Sequence, residues 1–253
     1  MTDRRGRIRG LALAAFSMSL ATNAHAIVGG ADDAGPLSRA TVMVLSSKGG
    51  VCTAVVVAAD AVLTAAHCVT GASDHRVHYR AEDGAPVLIT PKSKAVHPGY
   101  DAKAVEARRR SIDLALLQLP EPLPGRFETA TLSAAAAPAS SSLSFGGYGV
   151  AREGDGRSTG TFRTVRLSLV EPYGASRILV WANAPQGGAG ACEGDSGGPV
   201  TRSGTSAVIA VSTWATGAKG RACGGYSQGV LLGPQRAWID TTLQGWGQSA
   251  RWE

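Results

Sequence analysis

The chain has 253 residues, 44% hydrophobic and 17% charged, a balance that excludes an extended polar polymer and predicts one large or two small packed domains. Its formal charge of +6 falls to about +3 once the arginines and the aspartate of residues 1–26 are set aside, which argues against a nucleic-acid surface. Glycine (33) and proline (12) make up about a sixth of the chain and are spread along it, so many turns between short elements are expected.

In chain order, residues 1–9 are basic, residues 11–21 form an apolar run too short to span a membrane, and Ala24-His25-Ala26 supplies a small-x-small cleavage pattern. These are the parts of a secretory signal peptide, so residues 1–26 are read as a leader and the mature chain as extracellular or periplasmic, with no stable membrane association. From Ile27 onward, short β-branched runs predict strands over 41–45, 51–58, 87–90 and 114–119. Arg108-Arg109-Arg110 is a basic run without interleaved aromatics and reads as a solvated loop. A proline-dense connection at 120–125, followed by a loop-like stretch at 134–142, places a domain boundary between them, giving units at 27–127 and 128–253. Further strands are expected over 143–145, 161–170, 178–181, 208–214 and 229–232. Residues 234–243 form the clearest amphipathic helix, with Pro234 near its first turn and Trp238, Ile239 and Leu243 on one side. The pattern is all-β with a terminal helix, and by itself it fits barrels and sandwiches alike.

Cys52, Cys68, Cys192 and Cys223 all follow the leader, where an even number points to disulfides. Three pairings are possible; the expectation adopted is neighbour pairing, Cys52 with Cys68 and Cys192 with Cys223. No CxxC pair occurs and no histidine lies at ligand spacing from the cysteines, so neither a metal nor another cofactor is expected.

Three segments carry chemistry. In Gly194-Asp195-Ser196-Gly197-Gly198-Pro199 the glycines permit a tight turn that exposes a serine hydroxyl and lets the N–H groups of Gly194 and Ser196 converge on one oxyanion. His67 follows a predicted strand, beside Cys68. Asp113 enters an otherwise apolar strand, where an ionised carboxylate costs several kcal/mol unless an imidazole N–H or similar donor meets it.

The segments around His67 (TAAHC), Asp113 (DLALL) and Ser196 (GDSGGP), in that order, resemble the trypsin and chymotrypsin family of serine proteases. The likeness extends to Ile27-Val28-Gly29-Gly30, His97-Pro98-Gly99-Tyr100, Gly147-Tyr148-Gly149 and Trp238-Ile239. It implies two six-stranded antiparallel β-barrels with the site between them, and a monomeric, secreted, bacterial endopeptidase acting on proteins or peptides. Ser196 would be the nucleophile, His67 the general base and Asp113 its orienting partner. Catalytically silent binding proteins of the same fold, and esterases, are the alternatives. By resemblance the substrate pocket has Gly190 at its base, Glu193 at its rim, and Thr213, Trp214, Ala215 and Gly229 around it, which predicts cleavage after apolar residues. Ile27 would pair through its freed α-amino group with Asp195, making export and activation a single event. Two departures stand out: Thr53-Ala54-Val55 replaces the family's two glycines and serine, and Thr213, beside Ser212, replaces a serine that supports the aspartate.

Overall fold

The computed structural model describes residues 27–104, 106–107, 109–135, 137–170, 176–217 and 220–253; the leader read at residues 1–26, and Arg108, lie outside them. Two sheets fill the chain. Strand β1 (Ala31–Asp32) and a four-residue helix α1 (Pro36–Arg39) precede the first sheet. That sheet contains β2 (Thr41–Ser46), β3 (Val51–Ala58), β4 (Ala61–Thr64), β5 (His75–Arg80), β6 (Pro86–Ile89), β7 (Ser93–Val96) and β8 (Ala115–Gln118). Its order is β6-β5-β2-β3-β4-β8-β7, and every pairing is antiparallel. Seven strands with unjoined ends make an open half-barrel, where the family resemblance implied six closed ones. The extra edge strand β7 holds Ala95 opposite Leu116 of β8, and its fellow edge β6 is half exposed.

The second sheet runs through β9 (Thr131–Leu132), β10 (Ser142–Gly147), β11 (Arg163–Leu169), β12 (Leu179–Asn183), β13 (Pro199–Arg202), β14 (Val208–Ala215), β15 (Tyr226–Leu231) and β16 (Arg251–Trp252). Pairing of β13 with both β10 and β14 closes a six-stranded ring, β13-β10-β11-β12-β15-β14, while β9 and β16 attach in parallel at its edge and β1 joins β11. Alternation explains the closure: in β11 the buried residues Arg163, Val165, Leu167 and Leu169 alternate with more exposed ones.

A ten-residue helix α2 (Arg236–Gly245) follows a short 3₁₀ turn (Gly233–Gln235), so the predicted helix begins two residues late, with Pro234 in the tighter turn. Ile239 and Leu243 of α2 join Leu37, Val55, Leu63 and Leu114 of the first half and Val208, Val211 and Leu232 of the second in one buried cluster. That cluster locks the halves together. Among the described residues no helix is long and apolar enough to cross a membrane.

Candidate active site

His67 sits in a 3₁₀ turn (Ala66–Cys68) immediately after β4, and the disulfide Cys52–Cys68 fastens that turn to β3. Asp113 lies just ahead of β8, whose register opposite β4 brings its carboxylate to the turn. The carboxylate grips His67 at two points: Oδ1 accepts the backbone N–H at 2.9 Å, and Oδ2 lies 2.6 Å from ring Nδ1. With the proton fixed on Nδ1, the Nε2 lone pair is free to accept another. The Cys68 sulfur lies 3.7 Å from Nε2 and 3.8 Å from the Ser196 carbonyl oxygen; bonded to Cys52, it has no proton to give and acts as a packing wall. Cys52, His67 and Cys68 bring their ligand-type atoms within 4.8 Å of one another, yet the joined sulfurs are not thiolates, so this cluster is no metal site.

Ser196 stands in the turn leading into β13. Gly194 has φ +95°, and neither its N–H nor that of Ser196 has an acceptor among the described residues. Both groups are therefore available to an oxyanion. Gly197, at φ +88°, lies so close to β3 that a Cβ would come within 1.9 Å of the Thr53 carbonyl oxygen, which is why glycine must follow the serine.

Behind the turn, the other disulfide, Cys192–Cys223, ties it to the segment entering β15. Asp195 points inward and is buried; Oδ1 accepts Gly149 N–H at 2.8 Å and Oδ2 accepts Cys192 N–H at 2.9 Å. Desolvation pushes its pKa up to about 7, against the pull of those two N–H groups and of the Arg163 charge. Ile27 is also buried, and Val28 bridges to Gly190, so this segment is packed into the second barrel.

A cleft passes on both sides of His67. On one side a cavity of about 560 Å³ is lined by His67, Glu193, Gly194 and Ser196 together with the Cys52–Cys68 bridge. On the other, about 960 Å³ is lined by His67, Asp113, Thr213, Trp214, Trp181 and Gln228, with the two tryptophan rings edge to face at 5.7 Å.

The pocket residues read from the sequence divide. Glu193 is exposed at the rim, and Trp214 and Ala215 close β14. Neither cavity beside His67 includes Gly190, Ala215 or Gly229. A Cβ on Gly229 would meet Val211 O, Ala210 Cβ and Val180 Cγ1, so this residue faces the barrel core and is no pocket wall. The fully buried Ser227 is the β15 residue that lies behind Gly190: its Oγ is 3.0 Å from where a Gly190 Cβ would stand and accepts Ala191 N–H at 2.9 Å. The difference follows from the pairing of β15 with β14, which sets Ser227 opposite Ala215 and Gly229 opposite Ser212. Thr213 also departs from expectation, since it occupies a bulge in β14 and its hydroxyl donates to Gln228 Oε1 at 3.4 Å rather than to Asp113.

The family model described as Trypsin matches residues 27–234. The chain belongs to the trypsin family. Within it, a vitellin-degrading protease of Bombyx mori is 28% identical over 255 residues, spanning 92% of this chain and 91% of that protein. A trypsin-like protease of Streptomyces glaucescens is 29% identical over 234 residues, spanning 82% and 81%. Relatives in an insect and in a bacterium assign no bacterial origin to this trypsin-family member. Human heparin binding protein aligns with a TM-score of 0.69 at 23% identity, covering 86% of this chain and 97% of that one, and carries the fold comparison. Trypsin-family membership implies a hydrolase whose substrates are proteins or peptides.

Proposed function

We propose that this chain is a secreted serine endopeptidase that cleaves peptide bonds through an acyl-enzyme on Ser196. The observation that carries the reading is the two-point hold of Asp113 on His67, at 2.9 and 2.6 Å, which engages Nδ1 and leaves Nε2 as the ring nitrogen free of the carboxylate in a residue that lines one cavity with Ser196. Ser196 Oγ attacks the scissile carbonyl carbon as its proton passes to Nε2, and Asp113 stabilises the imidazolium. The N–H groups of Gly194 and Ser196 hold the tetrahedral oxyanion. When the C–N bond breaks, the imidazolium returns the proton to the departing amine; water, deprotonated by the same nitrogen, then hydrolyses the ester and restores the Ser196 hydroxyl.

The uncharged base formed by Gly190 and Ser227 supports cleavage after apolar residues, because a substrate lysine or arginine would meet no carboxylate there. Residues 1–26 and the two disulfides support export. Removal of the leader at Ile27 would free the α-amino group that pairs with buried Asp195, so no second protease is required. The test is labelling of the purified mature protein with a fluorophosphonate, followed by digestion of a peptide library. Wild type should label at Ser196 and cleave after Leu, Met, Phe or Tyr, and S196A should do neither. Cleavage of esters but not of the matching amides would identify an esterase, and no labelling at all would identify a silent binding protein.

A further inference from the structure

We infer that Thr53 is a positioning residue for the oxyanion hole, clasping from the first sheet the carbonyls of both residues whose N–H groups form that hole. The inference rests on the serine-protease reading of Ser196. Thr53 is fully buried in β3, and its hydroxyl has two neighbours of fixed character. Tyr148 N–H, 3.0 Å away, can only donate, so the hydroxyl must accept there. Its single proton is thereby committed to the Gly194 carbonyl at 2.9 Å. The Thr53 backbone N–H donates to the Ser196 carbonyl at 2.8 Å.

The Gly194 N–H belongs to the peptide plane joining Glu193 to Gly194, and the carbonyls on either side of Gly194 are held independently. Val150 N–H donates to Glu193 O at 2.8 Å, while Thr53 Oγ holds Gly194 O. A glycine at φ +95° has no side chain to resist rotation, so without these two holds the N–H can swing away from the oxyanion position. Thr53 also links to the histidine side: its carbonyl accepts Thr64 Oγ at 2.7 Å, and Thr64 ends the strand that leads into His67. Thr53 and Thr64 are both inaccessible to solvent, so water does not substitute for a lost partner. The backbone donor would survive the glycine that the family resemblance leads one to expect at this position. The side-chain clasp is this chain's own addition.

The experiment compares processed wild type, T53V and T53S on a peptide amide, together with inhibition by a peptide aldehyde of the same sequence, whose adduct places an oxyanion in the hole. T53V keeps the volume and deletes the clasp. Its kcat should fall about 10- to 100-fold with KM within about twofold, and the aldehyde should weaken by a similar factor. T53S should stay within about threefold of wild type in every constant. Where T53V does not fold, T53A carries the same comparison. Wild-type kcat and aldehyde affinity in a hydroxyl-free variant, or a loss confined to melting temperature, would overturn the inference. A wild-type protein that neither labels with fluorophosphonate nor hydrolyses peptides would instead defeat the protease reading, and this inference with it.

Discussion

The buried carboxylate of Asp195 has two N–H donors but no ammonium partner among the described residues, and its pKa rises from the ordinary 3.8 to about 7. The consequence is a stability that depends on pH. Below about pH 4 the carboxyl is protonated in both folded and unfolded chains, and the contribution of the raised folded value is complete. As pH climbs, the unfolded chain releases its proton first, and the contribution is lost by the time the folded value is passed. A gap of about three decades corresponds to about 4 kcal/mol. Ile27 adds a term that does not vary with pH, because a β-branched residue at φ +50° is strained by about 1–3 kcal/mol until the preceding peptide bond is cut. With the bond cut, an α-ammonium partner should restore an ordinary carboxylate and flatten the profile through this window. Urea unfolding of S196A protein, prepared both with Ile27 as its first residue and with Ala26 retained, measures the difference between pH 4 and 8. The extended form should lose about 4 kcal/mol across that range and the mature form little, while D195N in the extended form should remove the slope. Equal slopes in the two S196A forms would refute the pairing of Ile27 with Asp195.

Three further outcomes are expected. G197A, at φ +88° and with its Cβ 1.9 Å from Thr53 O, should lose more than about 4 kcal/mol in denaturant titration, whereas G204A, at φ +86° with nothing within 4 Å, should lose only about 1 kcal/mol. Replacing both Cys52 and Cys68 by alanine should cost about 3 kcal/mol of stability and, because the sulfur wall beside His67 goes with it, should lower kcat more than it raises KM. G190D should turn a library profile from apolar residues toward arginine and lysine; a profile already dominated by those residues in wild type would refute the neutral pocket base.

Apolar, β-branched strands were readable because burial on both faces leaves an unbroken signal: β3 occupies the predicted 51–58. Strand β5 was not, since in His75-Arg-Val-His-Tyr-Arg only Val77 is buried and the polar residues face outward. Strand β15 was shifted because Tyr226, Ser227 and Gln228 are held by pairing with β12 and β14 rather than by any apolar run. In that pairing Ser227, opposite Ala215, stands beside Gly190, while Gly229, opposite Ser212, faces the core. The isolated charge of Asp113 in an apolar strand called for a donor, and the family resemblance named His67 as that donor. The role of Thr53 was hidden, because a threonine within a β-branched run looks like strand filler. Only its burial among Gly194, Tyr148 and Ser196 gives its hydroxyl work to do.

Helix α2 bears on how firmly the two halves of the molecule are held. Its Trp238 ring meets His97 of the first half edge-on at 4.7 Å, and Ile239 and Leu243 plug the buried cluster shared by both halves. The chain then ends with β16 alongside β9, where Glu253 N–H reaches Leu132 O at 3.0 Å. Helix α2 thus rivets the two halves face to face. It is not alone in this: Thr53 of the first sheet holds the carbonyls of Gly194 and Ser196, so the halves are joined at the site as well as behind it.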